Sequence, residues 1–446
     1  MRLFPALLLL AASAAAQPVR FGSADDPLER GTGIGFTDRA SASVYAGPAY
    51  LPDTWRGAVR VQGEVARGRF SAALGATVHP GVGGLYGPEA DELYDLARVV
   101  RYVRWNATTG RPSYARLGPT ERVTLGSGAL VRRYRTTTAW DERTLGLEGA
   151  TQIGPGRVAG FVDDVLRLDG VVGGEATLRT RAGVGPLGDL SGTVAVVHDL
   201  GRTGLMGDSS LTGVEVTVRG TRRTGSPLAI QPFVTHARYL GHGSTLGGGV
   251  EIGADNLGDV FRARAGLAAF ASTGRFVPGH VGPFYAIHNG DERIVDDASF
   301  YGPEADVLAG TPLDSLSAGL DLVLDLRLLA FGRLEVSQHL RRHIGDERAS
   351  AYSLRLAGRL PGDGLLAFEL ERQDFRGLLD LLQDLGQLNA LVLDVQVPVG
   401  DRGVVFVRSR YGYRQLTADD GPAYATPGRF LVERRFEPLV GYRVSL

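Results

Sequence analysis

The sequence contains no cysteine, so no disulfide staples its fold. It contains no lysine either, and all 48 basic residues are arginine. Aspartate and glutamate number 49, leaving a net charge of -1. That balance argues against a nucleic-acid binder, which needs a basic excess. Beyond the first residues no apolar run reaches the length of about eighteen that a membrane-spanning helix requires. The GxSxG, HExxH and P-loop patterns are missing too. The eight histidines are His79, His198, His236, His242, His280, His288, His339 and His343. His198 and Asp199 are adjacent, so on a strand they point to opposite faces and do not pair. His339 and His343 flank Arg341 and Arg342 in a stretch read as a loop, which makes a metal site improbable. No catalytic residue, cofactor or firm metal site is expected.

Turn formers are abundant, with 63 Gly and 22 Pro. Hydrophobic residues make up 43% and charged residues 22%. Those fractions suit a soluble protein and equally a barrel with a greasy outside and a charged lumen.

Between Leu316 and Leu326 every even position is apolar: Leu316, Ala318, Leu320, Leu322, Leu324 and Leu326. The odd positions include Ser317, Asp321 and Asp325, and Arg327 continues them. Leu334 and Val336 then alternate with Arg333, Glu335 and Ser337. Successive strand side chains point to opposite faces, so this stretch reads as wall with one apolar face. A Leu-rich amphipathic helix is the rival reading, and only recurrence of the pattern separates the two.

The pattern does recur. Residues 57–78 form two alternating runs around Arg67-Gly68-Arg69, a hairpin signal. Further runs include Val172–Thr180, Gly192–His198, Val214–Thr221, Leu228–Tyr239, Val260–Phe270, Leu365–Gln373, Leu391–Val397 and Val404–Tyr411. The expected fold is all-β, an antiparallel up-and-down transmembrane barrel of about 14–18 strands with a few short loop helices. Pro283–Ile287 reads as one further strand. Toward the C-terminus the connections alternate: 416–429, 374–388 and 288–314 are long, whereas 400–403, 361–364 and 328–331 are tight. Membrane barrels alternate long external loops with short periplasmic turns in this way.

Met1–Arg2, the apolar run Leu3–Ala12 and Ala14-Ala15-Ala16 form a secretory signal peptide over residues 1–16, with cleavage before Gln17. Residues 17–56 read as an N-terminal extension or a first loop or strand, and 57–446 as the barrel. Within the barrel, 79–142 break the rhythm. Pro88 with Glu89, Asp91 and Glu92 predicts a short helix to about Leu96. TLGSG (Thr124–Gly128) and the cluster Arg132, Arg133, Arg135 follow. This region is either an inward plug or large loop, or an irregular pair of strands. Phe375, Leu378, Leu379, Leu382 and Leu385 recur at helical spacing and predict a short loop helix over the barrel mouth.

YGPEAD occurs twice, at Tyr86–Asp91 and Tyr301–Asp306. Glu89, Asp91, Glu304 and Asp306 are weak candidates for a Ca²⁺ site; the plainer reading is two similar turns with acids capping a helical start.

The chain ends on Val440, Tyr442, Val444 and Leu446, alternating with Gly441, Arg443 and Ser445. Here the sequence resembles the bacterial outer-membrane β-barrel proteins, porin-like barrels among them. These close with an alternating strand that carries an aromatic and ends in an apolar residue, usually Phe or Trp; Leu446 is milder. TLGSG is also similar to a TLGHG-type stretch in uncharacterised barrels of this class, with Ser127 in place of His. The resemblance implies outer-membrane lipid and the barrel-assembly machinery as partners, the latter through the C-terminal strand, and no nucleic acid. The expected lumen-lining residues are Asp321, Asp325, Arg327, Arg333, Glu335, Glu369, Glu371 and Arg443. The expected lipid-facing residues are Leu320, Leu322, Leu324, Leu334, Val336, Val440, Tyr442, Val444 and Leu446. A channel for small hydrophilic solutes is the leading functional reading. The alternatives are an exported barrel-borne enzyme or adhesin, or a soluble all-β secreted protein.

Overall fold

The computed structural model describes residues 40–51, 54–86, 94–106, 113–137, 144–168, 170–180, 187–200, 210–223, 228–257, 261–274, 276–285, 293–295, 298–301, 316–328, 334–344, 350–359, 364–373, 389–400, 403–416 and 430–445. Its main sheet has 22 strands. Two of them, Arg293–Val295 and Ala298–Tyr301, form a hairpin leaning on the start of the last strand. The remaining twenty form the wall. In chain order they are β1 (Ala40–Leu51), β2 (Thr54–Arg67), β3 (Phe70–Val78), β4 (Val100–Trp105), β5 (Tyr114–Gly118), β6 (Gly146–Ile153), β7 (Gly156–Val162), β8 (Val171–Arg179), β9 (Asp189–Asp199) and β10 (Leu211–Arg223). The second half is β11 (Leu228–Tyr239), β12 (Gly243–Leu257), β13 (Phe261–Gly274), β14 (Leu316–Leu328), β15 (Leu334–Ile344), β16 (Ala351–Arg359), β17 (Leu365–Gln373), β18 (Asn389–Val399), β19 (Gly403–Leu416) and β20 (Phe430–Ser445).

Each wall strand pairs antiparallel with its sequence neighbours, and β1 pairs with β20, so the ring closes. Closure leaves no unpaired sheet edge, a condition for crossing lipid with strands. The count exceeds the expected 14–18 because β1, β4 and β5 give weak signals. β1 alternates mostly small residues, and β4 and β5 are short. β1 also places wall inside the stretch read as an N-terminal extension or first strand.

The two faces of the wall differ in kind. Leu320, Leu322 and Leu324 are 54%, 46% and 37% exposed, while Asp321 between them is 6% exposed. On β2, Val59, Val61 and Val65 are exposed and Arg60 and Gln62 are buried. Burial thus selects the charged face and exposure the apolar one. That inversion suits a wall whose outside meets hydrocarbon and whose inside is polar.

The connections differ between the two ends, although the short 52–53 and 240–242 lie at the end that carries the longest. Residues 68–69, 154–155, 224–227, 258–260 and 400–402 lie at one end. The longest connections, 79–99, 119–145 and 275–315, lie at the other, with 374–388 and 417–429. Several expectations change. His339 and His343 stand on β15, not in a loop. The polar run of arginines and histidines there hides the alternation. Pro283–Tyr285 is a turn, not a strand, closed by the Tyr285 N–H donating to the Gly282 carbonyl at 3.2 Å. The helix expected from Pro88 to about Leu96 falls mostly outside the described residues; among those described, one helical turn stands at Asp95–Arg98. Residues 87–93 lie outside the described residues, as do 1–16, expected to be a signal peptide, and 375–385, expected to be helical.

Candidate functional site: a lumenal finger and its latch

The connection between β5 and β6 turns inward and builds a finger from residues 119–137. Its base and shaft are short antiparallel pairings. Val123 and Tyr134 exchange backbone hydrogen bonds of 2.9 Å, and the Thr136 N–H donates to the Thr120 carbonyl at 3.1 Å. Thr124–Gly128, the TLGSG stretch, forms the tip. Gly126 (φ 59°) and Gly128 (φ 81°) adopt left-handed backbone there.

The tip is held by wall carboxylates. The Gly126 N–H donates to Glu175 at 2.8 Å, and Ser127 and Leu130 N–H both donate to Glu215. Thr217 and Thr235 hydroxyls also donate to Glu215, at 2.9 and 3.3 Å. Glu175 is on β8, Glu215 and Thr217 on β10 and Thr235 on β11, so one arc of wall grips the tip. Charged acceptors on backbone donors make strong hydrogen bonds in a dry setting. A Cβ on Gly126 would run into the Glu215 carboxylate.

Around that grip the lumen is apolar. Leu125, Leu130, Val131 and Tyr134 of the finger pack with Phe161, Val171, Val197, Leu211 and Tyr239 of β7 to β11. A second inward segment, residues 276–285, adds Phe276, Val277, Val281 and Tyr285. Its Gly279 N–H donates to the Ala129 carbonyl at 2.7 Å, and Arg132 N–H donates to the Val281 carbonyl at 3.0 Å. The Tyr285 hydroxyl donates to Asp199 of β9 at 2.6 Å. This arc of the interior around the finger's tip is packed like a protein core.

The other side of the finger is ionic. Arg132 forks onto Asp321 of β14. Arg122 forks onto Glu369 of β17, with its Nε at 2.9 Å. Arg133 donates to Glu371 at 2.6 and 3.0 Å, and Arg135 reaches both Glu369 and Glu371. Bidentate arginine–carboxylate pairs combine charge with fixed geometry. Arg122 (φ 52°) and Arg133 (φ 55°) hold left-handed backbone, a strained conformation for a residue with a Cβ. Burial pushes the Arg133 guanidinium down from its ordinary value, against the opposing pull of Glu371 and Glu369.

Two cavities border this latch. One, of about 40 Å³, is lined by Arg132, Arg133, Phe284, Tyr352 and Glu371 among others. The second, also of about 40 Å³, is lined by Glu121, Arg122, Arg135, Glu369, Arg410 and Tyr411 among others. At the short-turn end a larger space of about 400 Å³ opens between Arg179, Asp189, Arg219 and Gln231. At the long-connection end Tyr94 ties connections together. Its hydroxyl donates to Asp164 at 2.7 Å and accepts from Leu145 N–H at 2.8 Å. Burial and the Asp164 hydrogen bond push its pKa well above the ordinary value.

Of the residues singled out from sequence, Asp321, Glu369 and Glu371 meet at the latch, and Arg443 is buried on the interior face. Asp325 is half-buried at an inward position. Arg327 stands opposite Glu335 in the β14–β15 register. Their side chains, that of Leu334, and residues Arg333 and Leu446 lie outside the described residues. Val440 and Tyr442 are exposed on the outer face, and Val336 and Val444 half-buried at outward positions. Glu89, Asp91, Glu304 and Asp306 also lie outside the described residues. Among the described residues no cluster of three or more His, Asp or Glu could hold a metal. Sequence reasoning missed Glu175, Glu215 and Arg122. The signals were the two glycines of TLGSG, which call for a partner at close range, and an arginine beside Glu121.

No protein-family model and no curated protein sequence matches the chain. Among solved structures it is similar to the siderophore receptor PirA from Pseudomonas aeruginosa, at 10% identity and a TM-score of 0.37, covering 93% of this chain and 81% of that one. It is similar to OpdL from Pseudomonas aeruginosa, at 12% identity and a TM-score of 0.33, covering 92% and 98%. It is also similar to Wzi from Escherichia coli, described as a carbohydrate-binding β-barrel involved in capsule assembly, at 9% identity and a TM-score of 0.35, covering 92% and 84%. The closed ring of pairings, not these likenesses, establishes the barrel.

Proposed function

We propose that the chain is an outer-membrane channel for small hydrophilic solutes, narrowed from within by the finger 119–137. The observation that carries this reading is the asymmetry of the finger's attachments. On the β7–β11 arc its tip is packed into an apolar core, which offers a hydrated solute no polar partners. On the β14–β17 side it is held by ion pairs, with cavities on both sides of them. A solute path therefore runs past the latch, where arginine and carboxylate groups replace water around a polar solute. Export through the signal peptide at 1–16 and insertion through the C-terminal strand belong to the same proposal.

The test is reconstitution of the mature protein in a planar bilayer. Discrete, voltage-stable conductance steps are expected, with migration on detergent gels that shifts on heating. A protein that is soluble without detergent, or a folded barrel without conductance, overturns the reading.

A further inference from the structure

The ring has one irregular seam, where its first and last strands meet. The β1–β20 ladder pairs Ser41–Ala46 with Ser445–Val440 and resumes only at Tyr50 with Phe436. That register sets Pro48 opposite Pro438. Each proline's other flank is intact: β1–β2 is continuous through Pro48–Gly57, and β19–β20 through Ser409–Pro438. Alternate residues of an antiparallel strand turn their N–H and C=O toward opposite neighbours. Since the outer flanks keep their ladders, both proline nitrogens face the seam. Neither has a hydrogen to give, so two ladder bonds are missing at one level and each carbonyl faces a partner without a donor. In hydrocarbon no water replaces them.

The depth of the break follows from the aromatics beside it. Tyr50 and Trp55 meet edge-on at a centroid distance of 5.4 Å, and Trp55 and Phe436 are exposed. Outward aromatics at a strand end mark the lipid interface. Pro48 and Pro438 sit two residues deeper, about 7 Å at strand rise, within the acyl region of the leaflet at the long-connection end.

Behind the break the interior is amphipathic. Tyr45, Ala49, Leu51, Val404, Phe406 and Leu439 form a buried apolar cluster directly inside. Arg60 and Arg408, the latter forked onto Asp394 of β18, lie 5.9 and 5.8 Å from the Tyr45 ring centroid. Glu437, one residue from Pro438, faces His79 at 2.9 Å and Arg60 at 3.5 Å.

We propose that the β1–β20 seam is a lateral portal, opening at Pro48 and Pro438 to admit an amphipathic molecule with an aliphatic tail and an anionic head from the outer leaflet. The apolar cluster receives the tail and the arginines around Tyr45 receive the head. The inference rests on the wall itself and stands whether or not the lumen conducts hydrophilic solutes.

The cysteine-free chain gives a clean test. Ala49→Cys places a thiol behind the break, and Ala195→Cys places one behind the fully paired wall at β9. In vesicles, a maleimide on a long alkyl chain should label Ala49→Cys and leave Ala195→Cys unreacted. Pro48→Ala with Pro438→Ala restores two donors and should slow that labelling about thirtyfold, taking about 1 kcal/mol for each of the two hydrogen bonds. A long-chain alkyl carboxylate in the vesicles should protect the thiol, and the matching alcohol should not. Labelling by a water-soluble maleimide alone, or equal rates with and without the prolines, overturns the portal. Equal protection by carboxylate and alcohol overturns the anionic head. Should the double substitution fail to fold, hydrogen exchange on the native protein decides. The Ala46 and Tyr50 amides should exchange faster than those of β10 at similar depth, and equal protection overturns the proposal.

Discussion

Glu369→Gln probes the latch at its most connected carboxylate. Glu369 takes both arms of Arg122 and one of Arg135, lies 3.7 Å from Arg355 and is 1% exposed. Glutamine keeps the shape and removes the charge, so the finger's guanidiniums lose one of the three wall carboxylates that hold them, Glu369, with Glu371 and Asp321 left. Removing one member of a buried ion pair costs about 3–5 kcal/mol. The strained backbone at Arg122 and Arg133 works in the same direction. Each left-handed non-glycine residue stores about 1–2 kcal/mol, which is recovered once the side chain no longer fixes it. The barrel ladder is untouched, so the cost falls on the docked state of the finger. A loss of about 3 kcal/mol shifts the docked-to-released ratio by about a hundredfold. Hydrogen exchange with mass spectrometry reads it directly: peptides covering 120–137 should lose protection while β10 and β17 keep theirs. Unchanged protection of the finger, or loss spread evenly over the wall, refutes the latch.

Leu322→Arg, at the middle of β14 on the outer face, should lower stability by about 2–4 kcal/mol in unfolding from lipid vesicles, and a smaller effect than that of Leu322→Ala contradicts the outward assignment. Gly126→Val asks a β-branched residue to take φ 59° against the Glu215 carboxylate; it should free the tip, seen as protease cleavage within 124–130, while uncleaved folded protein would contradict the tip geometry. Tyr94 titrates above its ordinary value, so the folded state binds its proton more tightly than the unfolded one. Its stabilising contribution is complete below about pH 10 and is lost as pH rises through the folded value, so Tyr94→Phe should flatten the alkaline loss of stability in melts.

The wall was legible in the sequence because a strand advertises its two faces every second residue. Leu316–Leu328 shows this most plainly, since lipid selects leucine outside and the lumen tolerates aspartate inside. Where the outward residues are small, as in Ala40–Leu51, the same geometry leaves almost no hydropathy contrast. The finger was harder. Its arginines stood out as a cluster, but their partners lie more than 180 positions away on β14 and β17. No local period encodes such a pairing. The apolar residues of 125–134 look like isolated loop hydrophobics until 276–285 and the β7–β11 arc close around them. The opposed prolines at the seam were equally hidden, because their meaning depends on the register that joins the two ends of the chain.

Single-channel conductance of the mature protein, compared with a variant whose residues 122–135 are replaced by a short Gly-Ser linker, tests the central claim most directly. If the finger narrows the lumen, the folded variant shows a several-fold larger unit conductance than the intact protein. Equal unit conductance in two heat-modifiable, fully folded barrels contradicts the account.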